Sequence, residues 1–446
     1  MGLIIAFVIF IASMIFMLIT GHSMVWALLI GLLLFTGLGL KQLDMPVSKG
    51  IKELSSSSWG SIRDSLIVIE VMLIIGLITA AWRISGTITI FVFYGMKVIV
   101  PPLFLIIAFL LSCLLSYALG TSFGVAGTVG VIFMALARSG GVDPVITAGV
   151  LMSGIYFGDR GSPVSSSANM VAGITKTDIL TNVKIMMKTA ALPFALTLAA
   201  YIVVSIMNPI SHVDAALMDS FKSEFTLSPW GFVPAVLMLA LPLLKVGVIL
   251  SIVISVLASS VIAFLVEKIS ILEICKVLLL GYHPTGEGLS AILDGGGLVS
   301  MIEIAIILII SCAYSGIFNR TGMLDGLLSR ITKCCTKIGR FATSVLVGLA
   351  SCVLFCNQTI ATLMHNDLLT KPYLDTGGTR QELAIDIENS TIIIVGLIPW
   401  AIACSVPLTF FGIGNEAILW AWYLYLVPLC YLFTKKRWYA DKAPAA

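Results

Sequence analysis

The sequence predicts an all-α polytopic membrane protein made of two inverted-topology repeats, with discontinuous, re-entrant helices at the centre. Three observations predict it. The 446 residues are 59% hydrophobic and only 11% charged, whereas soluble domains carry roughly 25% charge. Apolar runs recur from end to end at the length a bilayer requires, about 17–25 residues. Landmarks of the first half also return in the second at nearly constant spacing. A chain this poor in charge cannot coat a globular surface with polar groups. Lipid accommodates it, provided the backbone hydrogen bonds are satisfied within helices.

Spans are expected at 3–20, 24–40, 65–82, 103–119 and 190–207, then at 231–244, 246–266, 298–318, 341–355 and 419–434. The first lacks a basic leader and a small-residue cleavage site, so it reads as a retained span and not a signal peptide. The pieces at 88–100, 125–137, 145–157 and 391–408 are apolar but short or interrupted. Broken segments at matching places in two halves point to a transporter's binding site.

The halves match at three places. Glu70 and Glu303 each lie in an apolar span, and these spans exit through Arg83-Ile84-Ser85-Gly86 and Arg320-Thr321-Gly322. Polar breaks follow at 120–124 and 356–359, then acid-bearing breaks at 158–163 and 386–390. The pairs 70/303, 120/356 and 159/388 are separated by 233, 236 and 229 residues. That regularity argues for duplication, with chance resemblance among apolar runs as the alternative. The expected division is 1–207 as first repeat, 208–229 as extracytoplasmic connecting loop, 230–434 as second repeat and 435–446 as basic cytoplasmic tail.

Lys and Arg concentrate in cytoplasmic loops. Segment 319–340 carries Arg320, Arg330, Lys333, Lys337 and Arg340 against Asp325, and it is placed inside with the tail. Segments 208–229 and 267–296 carry more acids than bases and go outside, while the mildly basic 41–64 goes inside. The Glu70 span then runs in-to-out and the Glu303 span out-to-in, which is an inverted relation.

Ionisable groups at bilayer depth are costly and mark function unless a neighbouring helix satisfies them. Glu70 and Glu303 are therefore the proton-coupling candidates, with a protonated carboxyl bonded to a neighbouring backbone as the alternative. Gly120, Gly124, Gly127 and Gly130 weaken one apolar run, each by about 1 kcal/mol relative to Ala in a helix. Unwinding there would offer carbonyls and the Thr121 and Ser122 hydroxyls to a hard cation, which prefers oxygen. Close helix packing through small residues is the other reading. The stretch 158–169 adds Asp159, Ser162, Ser165, Ser166, Ser167 and Asn169 around Pro163, which disfavours helix at Ser162; a solvated loop is the alternative. From the second half come Asn357, Gln358, Glu388 and Asn389.

Other classes fit poorly. The nine cysteines form no CxxC pair and no zinc-spaced cluster. His22, His212, His283 and His365 are scattered, so a membrane-embedded metalloenzyme lacks ligands. Channels repeat pore loops by rotation about the membrane normal, whereas the loop charges suggest inversion. No basic block suggests nucleic acid. The expected partners are a small ion or small-molecule substrate and the lipid bilayer, with a homodimer as a further possibility. No cofactor and no metal beyond transported Na+ are expected, and Na+ and/or H+ would couple transport.

The run GTSFGVAGTVG at 120–130, YFGDRGSP at 156–163 with Ser165 and Asn169, and the late Glu388-Asn389-Ser390 with Ile398-Pro399-Trp400 resemble the NhaC sodium/proton antiporter family of the ion-transporter superfamily. The resemblance implies an inverted-repeat carrier in a bacterial cytoplasmic membrane. Two discontinuous hairpins would meet near the midplane, with sodium or protons as coupling ions and organic-anion exchange, such as malate for lactate, among relatives. Ser166 stands where the family's motif has an acid, and Cys356-Asn357-Gln358 where it has Ser-Asp-Gln. Those neutral positions would also suit exchange or symport of a small organic anion or amino acid.

Overall fold

A computed structural model describes residues 2–64, 66–98, 101–209, 221–244, 246–284, 287–323 and 328–439. The expectations for Ser65, for most of loop 208–229 and for the last residues of the tail lie outside them. The described residues are helical and hold no strand beyond one bridge between Tyr282 and Gly295.

The first half runs through α1 (Gly2–Thr20), α2 (Met24–Gln42), α3 (Val47–Asp64), α4 (Leu66–Ile84), α5 (Thr87–Val98), α6 (Phe104–Leu119), α7 (Ser122–Val125), α8 (Val131–Ser139), α9 (Pro144–Gly161), α10 (Ser166–Thr175) and α11 (Ile179–Met207). The second runs through α12 (Val233–Leu243), α13 (Val248–Leu265), α14 (Ile271–Leu280), α15 (Glu287–Leu293), α16 (Ile302–Thr321), α17 (Leu328–Ile338), α18 (Arg340–Phe355), α19 (Gln358–Asp375), α20 (Arg380–Asn389), α21 (Thr391–Ile394), α22 (Ile402–Phe411) and α23 (Trp422–Tyr439). Among the described residues, Met24–Gln42, Ser122–Ser139, Ile179–Met207 and Val299–Phe318 are each long and apolar enough to cross a bilayer. Two further runs are bent, Met72–Ile84 with Thr87–Gly95 by 63° and Arg380–Leu397 with Ile402–Phe411 by 49°. The chain is a multi-pass helical membrane protein.

Three of the segments read as loops hold helices, and 267–296 contains the short α14 and α15. Residues 47–64 form α3, whose Ser58 Oγ donates to Ala313 O of α16 at 3.1 Å. A Cβ on Gly316 would lie 2.4 Å from Ser57 O, so only a bare backbone admits α3 there. The basic segment 319–340 contains α17. Helices α3 and α17 are too polar for an apolar-run criterion to register.

The core begins with an aromatic cluster: Phe35 of α2 lies 5.5 Å from both Phe10 of α1 and Tyr314 of α16, and 4.9 Å from Phe318. Small residues draw α6 and α9 together. A Cβ on Gly154 would fall 2.5 Å from Ser112 Cβ, and one on Gly158 only 2.0 Å from the Ser116 carbonyl carbon.

The breaks repeat in detail. α6 and α18 both span 16 residues, and their starts at 104 and 340 lie 236 positions apart. Each ends on a left-handed residue, Gly120 (φ 66) or Cys356 (φ 56). Each is followed by an extended residue, Thr121 or Asn357, whose side chain caps the next helix. The starts of α4 and α16 (66 and 302) and of α9 and α20 (144 and 380) keep the same spacing of 236.

Candidate functional site

The site is built where α9, α10, α19 and α20 meet. Asp143 caps the start of α9 by accepting from Val145 N at 2.8 Å, and Pro144 stands at the first helical position, where it is tolerated. The helix then continues through Asp159, Arg160 and Gly161, so the expected break at 158–163 starts later, at Ser162. This keeps both charged residues on a rigid element, each no more than 3% exposed. Ser165 caps α10 by accepting from Ala168 N at 3.3 Å, and it donates to Asp159 O at 2.5 Å. That brings Ser167 onto Asp159, donating to Oδ1 at 3.1 Å.

The second half completes the carboxylate's shell. Asn357 Oδ1 accepts from Thr359 N at 2.8 Å and starts α19, so Gln358 projects from the first turn. Gln358 Nε2 donates to Asp159 Oδ2 at 3.0 Å and to Ile392 O at 3.3 Å. Arg160 Nη2 donates to Asn389 Oδ1 at 2.6 Å, Thr189 Oγ1 at 2.7 Å and Met186 O at 3.1 Å, while Nη1 donates to Tyr423 at 3.2 Å. α20 ends at Asn389, and its Glu388 is fully buried with Arg160 and Asp159 as its charged neighbours. Among the described residues neither Glu388 carboxylate oxygen has a partner, nor do Arg160 Nε and Asn389 Nδ2. Buried polar groups left unpaired cost about 1–3 kcal/mol each, more when charged, so their concentration here marks a polar centre.

The remaining candidates fall at different depths of this arrangement. Gly120 backs onto the α9–α10 break, since a Cβ there would lie 2.5 Å from Val164 C. Thr121 accepts from Gly124 N at 3.3 Å, Ser122 is buried, and Ser162 donates to Tyr117 O at 2.6 Å. Ser166 is exposed, and the exposed Asn169 turns back to Pro163 O (2.9 Å) and Ser165 O (2.7 Å). The two proton-coupling candidates are not at the breaks. Glu70 is exposed near the start of α4, and Glu303 is exposed in the first turn of α16, accepting from Ser23 Oγ. The reason lies just upstream: Gly295, Gly296 and Gly297 have φ of 108°, 79° and 86° and hold off the helix, so Glu303 starts a span and does not lie deep in one. Ser167 belonged to the serine-rich set of oxygens expected from the sequence, whereas sequence reasoning passed over Thr189 and Tyr423 as contacts.

Among the described residues no group of three His, Cys, Asp or Glu side chains could hold a resident metal. The oxygens around Asp159 and Glu388 suit a transient cation or a proton.

Comparison with known proteins places these residues in context. The model of the Na+/H+ antiporter family matches residues 154–434. The malate-2H(+)/Na(+)-lactate antiporter of Bacillus subtilis is 25% identical over 361 residues, covering 78% of this chain and 76% of that protein. The Na(+)/H(+) antiporter NhaC of Alkalihalophilus pseudofirmus is 25% identical over 386 residues, covering 85% and 84%. The arginine/ornithine antiporter ArcD of Halobacterium salinarum is 25% identical over 363 residues, covering 78% and 74%.

Proposed function

The chain belongs to the Na+/H+ antiporter family, and we propose that it is a secondary transporter exchanging Na+ for H+ by alternating access, with Asp159 and Glu388 as its ion site. One observation carries the site: Glu388 is fully buried with both carboxylate oxygens unpartnered beside Asp159 and Arg160. Two carboxylates and one guanidinium leave a net charge of −1 when both acids are ionised. One Na+ or one proton neutralises it, so the two compete for the same place. Glu388, Asp159, Ser167 and Gln358 supply oxygens of the kind a hard cation prefers, with Gly120, Thr121, Ser122, Gly124, Ser162, Ser165 and Asn357 shaping the broken backbone around them. Irregular backbone at this depth is tolerated where it is buried in protein or lines water.

The test is flux in proteoliposomes under sodium-only and proton-only gradients. Glu388→Gln keeps shape and removes the titrating group, and it should lower exchange in both directions at least tenfold. In the native protein the apparent sodium affinity should fall as pH drops. Glu303→Gln and Glu70→Gln should retain most exchange. Wild-type flux in Glu388→Gln would remove the site, and loss confined to Glu303→Gln would move coupling to the start of α16.

A second reading is sodium- or proton-coupled exchange or symport of a small organic anion or amino acid. It draws on the neutral Ser166, Asn357 and Asn389, on Arg160 Nε without a partner, and on the malate and lactate of the Bacillus relative. We further propose that 1–207 and 230–434 are inverted repeats joined by an external 208–229, with the 435–446 tail inside a bacterial cytoplasmic membrane. The constant spacing of 236 between helix starts supports the repeat, and the loop charges support the inversion.

A further inference from the structure

A second cavity lies away from the ion site, where the ends of α4, α8 and α22 meet the start of α16. Its volume is about 210 Å³, and Thr79, Arg83, Arg138, Asp294 and Ser300 are among its lining residues. Arg83 is only 5% exposed. Its Nη1 donates to Thr79 O of its own helix at 2.7 Å, and its Nε is buried with no partner. Arg138 Nη2 holds the end of α22, donating to Phe411 O at 2.6 Å and Gly412 O at 3.2 Å. Asp294, the acid on the rim, already has its Oδ1 on His283 Nδ1 at 2.6 Å. Two guanidiniums therefore face a small cavity, and one of them has an unfilled donor edge.

The second half contains the same device with its partner present. α4 and α16 both run into a left-handed glycine, Gly86 (φ 71) and Gly322 (φ 60), just after an arginine. At the end of α16, Arg320 directs Nε (3.0 Å) and Nη2 (2.6 Å) at Glu53 Oε1. At the end of α4 no carboxylate among the described residues hydrogen-bonds the Nε of Arg83, and Asp294 acts on its charge only from a distance. A guanidinium fork matches a carboxylate in shape and charge, and leaving a buried donor unmade is costly. On the proposed orientation this cavity opens outward, where arginine is not favoured by topology alone.

We propose that the cavity between Arg83 and Arg138 binds the carboxylate group of a small organic acid. The carboxylate takes the Nε edge of Arg83, as Glu53 takes that of Arg320, while Arg138 adds its charge from across the cavity. The inference does not rest on the ion site, and binding is read with no ion gradient, so its failure leaves the antiport reading standing. Purified full-length protein is titrated calorimetrically with acetate, lactate and succinate, with chloride and phosphate as comparators. At least one carboxylate should bind saturably, and Arg83→Gln should weaken it at least tenfold. Ser300→Phe, at an exposed lining position, fills the cavity without removing a charge and should do the same; it decides the matter if Arg83→Gln does not fold. Absence of saturable carboxylate binding, wild-type affinity in Ser300→Phe, or equal binding of chloride or phosphate would each overturn the proposal.

Discussion

Single side chains decide what the breaks do. Asp159 and Glu388 were legible as acids in the polar breaks at 158–163 and 386–390, whereas the cost of an acid in an apolar run pointed to Glu70 and Glu303, which are exposed. Ser166 and Ser167 were not separable, since three serines in a row carry no register. Ser165 sets it by capping α10, which leaves Ser166 exposed and turns Ser167 onto Asp159. Lys435 is a similar case. Read as part of a solvated basic tail, it lies on α23 with a side chain only 14% exposed, bonded to Asp386 and, at 2.6 Å, to Glu382. Asp386 is fully buried, and its other partners are the Tyr373 and Tyr431 hydroxyls at 2.7 and 3.1 Å. Removing one member of a buried pair typically costs about 3–5 kcal/mol. Lys435→Met should therefore lower the thermal midpoint of the purified protein by several degrees, with Lys435→Arg recovering most of the loss. An unchanged midpoint in Lys435→Met would show that Asp386 needs no cation.

At the scale of elements, the bilayer's demand for long apolar runs made most helices visible, and glycine and polar residues marked the interruptions at 120 and 356. The polar helices α3 and α17 were missed because their pattern is one of contact with another helix, not of contact with lipid. The α6–α9 pair shows how close such contacts become. Gly158→Ala would place a methyl 2.0 Å from a backbone carbon of Ser116, so the helices must part. Gly173 in α10 has nothing within 4 Å of the same position. Gly173→Ala should stabilise by about 0.5–1 kcal/mol through helix propensity and a less free unfolded chain. Thermal unfolding of the two variants should move in opposite directions; a neutral Gly158→Ala would mean that α6 and α9 are not held at this distance.

For the whole molecule, the proposed repeat rests on landmarks whose spacing varies, because the paired acids do not occupy equivalent positions: helix starts give 236, the acids 233 and 229. Inversion can be tested with residues already present. Of the nine cysteines only Cys275 and Cys334 are exposed, and the proposed orientation puts them on opposite sides. A membrane-impermeant maleimide should label Cys275 in intact spheroplasts and Cys334 only after permeabilisation; labelling of both from one side would exclude the orientation. The long reach of the Arg160 contacts also sets a timetable for making the protein. Asn389 lies 229 residues after Arg160 in the chain, and Tyr423 lies 263 after it. Ribosomes add about 5–20 residues per second, so Tyr423 is polymerised roughly 13–50 s after Arg160. Through that interval the nascent first half carries a cation destined for its interior while two of its eventual partners do not yet exist. Until then only Met186 and Thr189 of the first half can hold Arg160, and the remaining contacts form once α20 and α23 have been made.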